Sequence, residues 1–511
     1  KDDIDLSDLM IDISDTNNID QEITNSSFIN CGDNGASDNK ATGICINENT
    51  NSDPIHILSC EFHECYSHSA YILQIASSKV TVELCEFYFN SNEDQKACGA
   101  INIQQGEIVL IDNEFVNCIC NSIKNLHSEG NDKLELINNR FSGCLPYLDG
   151  DGNGGVIYLM NGVIESSIIN STFINCGVDN GFVVSIYSST LRYSDNNITF
   201  ESHDEAIKGL GIFSHGDIEI ENSIFHRCNC HDETDNSGGL YIKDTFESVS
   251  EFGNLIFKNV IFDENAGANR RCFFITWNSL NIECEGITII NTPAGGLTFD
   301  LELVSSAECT FTFSNWSFIS NIANTENCGG SGIFVAPKPG FETSSSILMT
   351  LTFENCIWSG NKALYTTTTG DTGAYNGIGG AFQHGSSQIN EDCVFKFESC
   401  IFNENEADYE GGAIALTLIR DCEIINCTFT SNKANCGNDS QNPSSIKQGG
   451  AIYINSDLNE VRESTLTISS SNFINNIAQS SNGHGISLNH PQLKAIIDQN
   501  TLFTDNGDST S

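Results

Sequence analysis

Residues 410–434 read EGGAIALTLIRDCEIINCTFTSNKA. The stretch opens on Gly411-Gly412-Ala413-Ile414 and closes on Phe429-Thr430-Ser431-Asn432, and both tetrapeptides recur along the chain. Phe-x-x-Asn returns at Phe87, Phe262, Phe318, Phe402, Phe473 and Phe503, with Trp358 to Asn361 as a variant. Phe-x-x-Cys takes its place at Phe28, Phe62, Phe115, Phe141, Phe173 and Phe225. Asn and Cys fill about 16% of positions, so chance would place about five of the 31 Phe in this pattern, against thirteen found. The repeat is real.

A glycine element travels with it: CGAI at Cys98, GGVI at Gly154, GGLY at Gly238, GGLT at Gly295, GGAF at Gly379 and GGAI at Gly411 and Gly449. Each precedes a short apolar alternation such as AIYINSD. Period two over a few residues is a strand signal, and no long 3.6-residue period competes with it. The aromatic pattern lapses twice where a turn is due, and Phe200 and the apolar run 287–290 fill those places. About sixteen units result, mostly 25 to 44 residues apart.

Short strands in a repeat of about 30 residues specify a solenoid with three strands per coil. The expected fold is all-β, a right-handed single-stranded parallel β-helix of about sixteen coils. At a strand spacing of about 4.8 Å the stack would be roughly 75–80 Å long. Residues 25–511 read as one β-helix domain, and 1–24, with its alternating KDDIDLSDLMIDISD, as an acidic strand or cap. Phe402, Phe429 and Phe473 would stack as an interior ladder. Asn405, Asn432 and Asn476 would take the left-handed bend and pair their amides between coils.

The composition bounds the function. The 511 residues carry a formal net charge of −46, and that field repels phosphate backbones and anionic lipid. Nucleic acid is therefore excluded as a partner, and no apolar run is long enough for a transmembrane segment. The opening KDDIDL, without Met or leader, reads as part of a longer precursor. The 22 cysteines are too dilute for a small disulfide scaffold.

The paired GGA[I/L/V] and FxxN repeats, from about Phe28 to Asn506, resemble those of the chlamydial polymorphic membrane proteins and similar surface proteins of trichomonad protists. The resemblance implies a right-handed β-helix displayed on a cell surface and associated with adhesion. Cys replaces Asn in six early motifs, which departs from that pattern. The closing GDSTS lacks the aromatic end of an autotransporter barrel.

Cysteines follow the repeat. Cys60, Cys85, Cys356, Cys400 and Cys427 stand two residues before the motif aromatic, whereas Cys31, Cys65, Cys118, Cys144, Cys176 and Cys228 stand three after it. Two ladders at fixed coil positions are expected, as buried thiols with some disulfides. Cys60, His63, Cys65 and His68 mimic zinc spacing, but strand alternation separates their faces. Asp149, Asp151 and Asn153 match the first half of a calcium loop, although Met160 stands where its bidentate carboxylate belongs. Calcium is the sole cofactor considered. Sequons begin at Asn25, Asn170, Asn197, Asn315, Asn426 and Asn438, which would be glycan sites in a secreted protein.

These features read as an extracellular or cell-surface, secreted and non-catalytic protein with a structural or adhesive role. Its expected partners are copies of itself, joined into fibres through end strands, and a host-cell, matrix or glycan ligand. The largest insertions, 362–378 and 433–448, would crowd one edge and contact the partner. The alternative is a β-helical polysaccharide lyase or glycoside hydrolase. His215-Gly-Asp217 and His231-Asp-Glu233 pair acid with base, but neither forms a recognisable catalytic set.

Overall fold

The fold is described from a computed structural model, which covers residues 11–13, 21–29, 32–33, 44–46, 54–67, 71–88, 99–118, 123–125, 132–145, 155–177, 182–201, 208–213, 216–230, 238–243, 253–267, 273–276, 282–293, 297–301, 309–323, 333–337, 347–364, 377–384, 391–417, 419–434, 448–455, 463–479, 483–489 and 492–507. All regular structure among them is β-strand. The chain divides into two compact units, 1–230 with 240–250 and 231–239 with 251–511. Each is a parallel β-helix.

In the first unit the motif residues form eight three-residue strands, beginning Ser27–Ile29, Glu61–His63, Glu86–Tyr88 and ending Asn197–Thr199, Ile224–His226. They pair in parallel with the aromatic always opposite its counterpart, as Phe62 is to Phe87 and Phe87 to Phe115. The sheet spacing therefore sets the ring spacing, and centroids lie 4.6 to 4.8 Å apart from Phe28 to Phe173. The next rung is Ile198, between Phe173 and Phe225, and not Phe200 as the spacing suggests. Phe200 is still buried, two residues further along.

The second unit repeats the plan with eight such strands, from Ile261–Asp263 and Thr288–Ile290 to Asn472–Ile474 and Leu502–Thr504. Ile289 fills the other lapse as expected. Trp358, Phe402, Phe429, Phe473 and Phe503 stack at 4.6 to 4.8 Å. A second parallel sheet, running through Ile347–Glu354, Glu391–Glu398, Asp421–Ile425 and Ser464–Ser469, closes another side of the coil. Its inward residues, among them Phe395, Phe397, Cys422, Ile424, Leu466 and Ile468, are buried against the ring ladder. A fully buried side chain of that size contributes about 1.5–3 kcal/mol.

Residues 410–434 are one coil of this unit. Gly411 has φ of +66° and opens the corner. A Cβ on Gly412 would run into the Gly450 carbonyl of the following coil, so the second glycine answers to close stacking. Strands Ile414–Thr417 and Asp421–Ile425 follow, then the corner residue Asn426 and the motif strand Thr428–Thr430.

The motif asparagines do not themselves take the left-handed bend. That conformation falls on the residue before each: Ser320, Gly360, Glu404, Ser431 and Asn475. The asparagine is instead buried and wired along the stack. Asn405 donates Nδ2 to the Trp358 carbonyl of the preceding coil at 3.0 Å and to Asn432 Oδ1 of the next at 2.9 Å. Its backbone N–H also reaches Asn432 Oδ1, at 3.1 Å. The same three bonds recur at Asn361, Asn432 and Asn476.

Residues assigned to the N-terminal cap already belong to the stack. Gln21–Thr24 pairs with Ile55–Leu58, and Ile11–Ile13 with Ile44–Ile46. Residues 1–10 and 14–20 lie outside the described residues.

Cutting one rung tests the wiring. Asn405→Ala strands buried groups on both neighbouring coils and should lower stability by about 2–4 kcal/mol. Asn405→Cys keeps a donor, as the earlier coils do, and should cost less. Guanidinium denaturation of the three chains measures the order, and equal losses would contradict it.

Candidate functional site

Most residues that the repeat brings to notice are committed to the interior. Thirteen cysteines among the described residues, including Cys60, Cys65, Cys85, Cys118, Cys144, Cys176, Cys400 and Cys427, are buried as thiols. The disulfides that a secreted protein would favour have no instance among them, and Cys31 lies outside the described residues. Cys400 Sγ lies 3.3 Å from the Phe353 carbonyl of the preceding coil and 3.4 Å from Glu398 O, with one proton to donate between them. Cys427 repeats this with Phe397 O and Ile425 O, and Cys144 with Phe115 O and Ser142 O. Burial pushes the thiols of Cys176, Cys228, Cys284 and Cys422 above the ordinary cysteine range. Such thiols are poor nucleophiles and poor metal ligands.

Among the described residues no group of three or more His, Cys, Asp and Glu side chains is placed to hold a metal ion. The calcium-loop residues Asp149, Asp151 and Asn153 lie outside the described residues, as do His68, His215 and residues 231–233. So do 365–376 and 435–447, the bulk of the two insertions expected to contact a partner.

The sequons separate into two kinds. Asn25, Asn170, Asn315 and Asn426 occupy one equivalent corner, each exposed and with φ between +50° and +59°. Asn197 differs: it lies within the strand Asn197–Thr199, half-buried, and its Oδ1 accepts from Thr199 Oγ1 at 2.7 Å. Asn438 lies outside the described residues.

What the sequence reading missed faces outward. On the motif strands of the second unit two columns of side chains flank the buried aromatic. One runs Thr288, Ser317, Ile357, Ile401, Thr428, Asn472 and ends at Leu502. The other runs Ile290, Ile319, Ser359, Asn403, Thr430, Ile474 and ends at Thr504. Not one is charged, across seven consecutive strands. Eight of the fourteen are Ser, Thr or Asn, and Ile357, Ile401 and Leu502 are 37%, 43% and 57% exposed, so the face is neutral with apolar points. The other sheet of the same coils turns Glu354, Lys396, Glu398, Asp421 and Glu423 outward, with Lys396 and Glu398 paired at 2.9 Å. The first unit's motif face carries Glu61, Glu86, Glu114 and Arg140. A neutral strip this regular is a candidate interaction surface. The signal was available in the residues either side of each motif aromatic, once those are known to point outward.

A second outward feature surrounds the glycine corner. Glu410 is half-buried and hydrogen-bonds Tyr453, whose hydroxyl also meets the Asn489 side chain. Burial raises the Glu410 carboxyl to about 7, against the pull of the phenol hydrogen bond. Burial and the nearby carboxylate raise Tyr453. The neighbouring coil places Gln448 at the position of Glu410, where it accepts from Ser487 Oγ at 2.6 Å.

No protein-family model and no curated protein matches the chain. Among solved structures the chain is similar to an alginate lyase of the PL6 family, AlyGC, at 10% sequence identity with a TM-score of 0.27, over 95% of this chain and 97% of that one. At that similarity nothing is carried across, and the β-helix rests on the parallel register itself.

Two outcomes follow. At the thirteen buried positions, iodoacetamide at pH 8 should label only guanidinium-unfolded chain, and peptide mapping should find each as a thiol without prior reduction. For Glu410 the sign is fixed by its raised folded value. Between about 4.5 and 7 the folded chain holds the proton more tightly than the unfolded one, so this group's stabilisation is greatest at low pH and is lost as pH rises through 7. The denaturation midpoint of the wild type relative to Glu410→Gln should fall across that window; a constant difference would refute the assignment.

Proposed function

We propose that this chain is a non-catalytic β-helical part of an extracellular structural or adhesive protein, presented at a cell surface. The observation that supports this reading most is the division of labour in the coils. Repeated Phe, Asn and Cys side chains fill the interior, and seven of the second unit's eight motif strands keep one outward face free of charge in a chain of net charge −46. A surface selected for solubility alone would mix charges into it. The motif resemblance to polymorphic membrane proteins and trichomonad surface proteins points the same way. Glycans on the exposed corner asparagines Asn25, Asn170, Asn315 and Asn426 belong to this reading.

One observation favours a second reading. A carboxyl titrating near 7 beside a phenol, as at Glu410 and Tyr453, has the acid–base character that polysaccharide cleavage needs.

A single screen separates them. The purified chain is presented with immobilised glycans, matrix proteins and acidic polysaccharides, with and without calcium. Retention without cleavage is expected, and Glu410→Gln should bind as the wild type does. Turnover that disappears in Glu410→Gln would overturn the proposal in favour of the enzyme.

A further inference from the structure

We infer that the uncharged motif face of the second unit is a self-association surface, whose occupant is the same face of a second copy of this chain. The inference names a partner for the surface on which the adhesive reading rests.

Two observations select a second copy. The first is charge. Two copies each carrying −46 repel over any pair of acidic surfaces, and along the seven strands from Thr288–Ile290 to Leu502–Thr504 no side chain of either copy adds to that repulsion. A basic partner would gain more from the neighbouring sheet, with its Glu354, Glu398 and Glu423, than from a face with nothing to pair. The second is period. From Trp358 to Phe503 the rungs repeat at the 4.6 to 4.8 Å of the stacked rings beneath them. A second copy has the same repeat, so its ridges can meet these grooves rung after rung, whereas a partner of another period would fall out of step. Face-to-face sheets about 10 Å apart are an established way of covering such surfaces, and Ile357, Ile401 and Ile474 would be the residues interdigitated.

Size sets the strength. Seven rungs at about 4.8 Å, three residues wide, cover roughly 300–500 Å² on each copy, below the ~800 Å² per partner of a standard stable interface. The association is therefore weak and concentration-dependent. Because repulsion between the acidic bodies opposes it, salt strengthens it, which is the reverse of an interface held by ion pairs.

Sedimentation velocity on the enzymatically deglycosylated chain tests this, from micromolar to several hundred micromolar and at about 20 mM and 500 mM salt. The expected result is a monomer–dimer equilibrium that shifts toward dimer at the higher salt. Ile401→Glu and Thr428→Glu place like charges on the face and should weaken the dimer at least tenfold, with melting temperatures near the wild type because both side chains point outward. Thr467→Glu makes the same charge change on the neighbouring sheet and should leave the equilibrium unchanged. A monomer under all conditions overturns the inference, as does a dimer indifferent to the face substitutions or weakened equally by Thr467→Glu. A monomer that still binds a glycan or matrix surface through Ile401 and Thr428 overturns it too, while leaving the adhesive reading standing; loss of surface binding with the dimer intact does the opposite.

Discussion

Every coil turns its corner over a carbonyl that points into a dry interior. Such a carbonyl must find a donor, and an unpaired one would cost about 1–3 kcal/mol per coil. At most corners the side chain that follows the left-handed residue supplies the donor, the apolar Val260 and Ile287 being exceptions. Asn361 Nδ2 reaches Phe318 O at 2.9 Å, Cys356 Sγ reaches Phe313 O at 3.5 Å, Trp316 Nε1 reaches Cys284 O at 3.2 Å and Ser471 Oγ reaches Ile424 O at 3.5 Å. Four different side chains serve one geometric need. The same group usually accepts from the backbone of the coil before it, as Asn139 N does to Ser171 Oγ and Cys400 N to Cys427 Sγ. This requirement explains the interchange of Asn and Cys that the bare sequence leaves puzzling: both are small, both donate and both accept along the axis.

Once the corners are fixed, the strands between them have no freedom of register. A slip of one residue would turn every motif aromatic to solvent and every outward Thr or Glu into the core. The outward positions are then free to vary without cost to the stack, and the two units use that freedom differently. The first sets Glu61, Glu86 and Glu114 on successive strands and follows them with Arg140, 3.3 Å from Glu114. The second, past Asp263 on its first motif strand, keeps the equivalent face neutral on the seven that follow. Since packing asks for neither choice, the contrast bears on what the surfaces meet and not on how the coils hold.

The parts legible in the sequence were those with a strong local signature. Period-two runs gave the strands, and repeated Phe gave the inward rung. Gly-Gly gave the corner where stacked backbones touch. The left-handed residues were only partly legible: among the described residues twelve of the 25 that are not glycine are Asn and three are Asp, but Ser399, Leu84 and Arg227 hold the same conformation. Position in the coil imposes the conformation, and Asn or Asp only eases it. Phe200 misled for a related reason: aromaticity marks the rung on average, but only the sheet register shows that Ile198 stands on it. The candidate face escaped notice because it is defined by what its residues lack, and the absence of charge has no meaning until the outward positions are known.

The two units also place their amide and thiol ladders at opposite corners of the coil. In a stacked repeat, stability is a sum of coil terms and nearest-neighbour terms. From Asn321 to Asn506 each step carries an amide-to-amide bond near 3.0 Å together with a backbone bond into the same oxygen. At the equivalent corner of the first unit the ladder is made of cysteines, whose contacts to carbonyls run from 3.3 to 4.0 Å. Sulfur is the weaker donor and acceptor. At the corner before the aromatic the roles reverse: Asn113 and Asn139 bond amide to amide at 3.0 Å in the first unit, where the second has Cys356, Cys400 and Cys427. The asparagine ladder that follows the aromatic is found in the same coils as the uncharged face. Exposed Ile and Leu on a loosely coupled stack would invite local opening and unspecific aggregation, whereas on a firmly coupled one they remain a flat surface of fixed period.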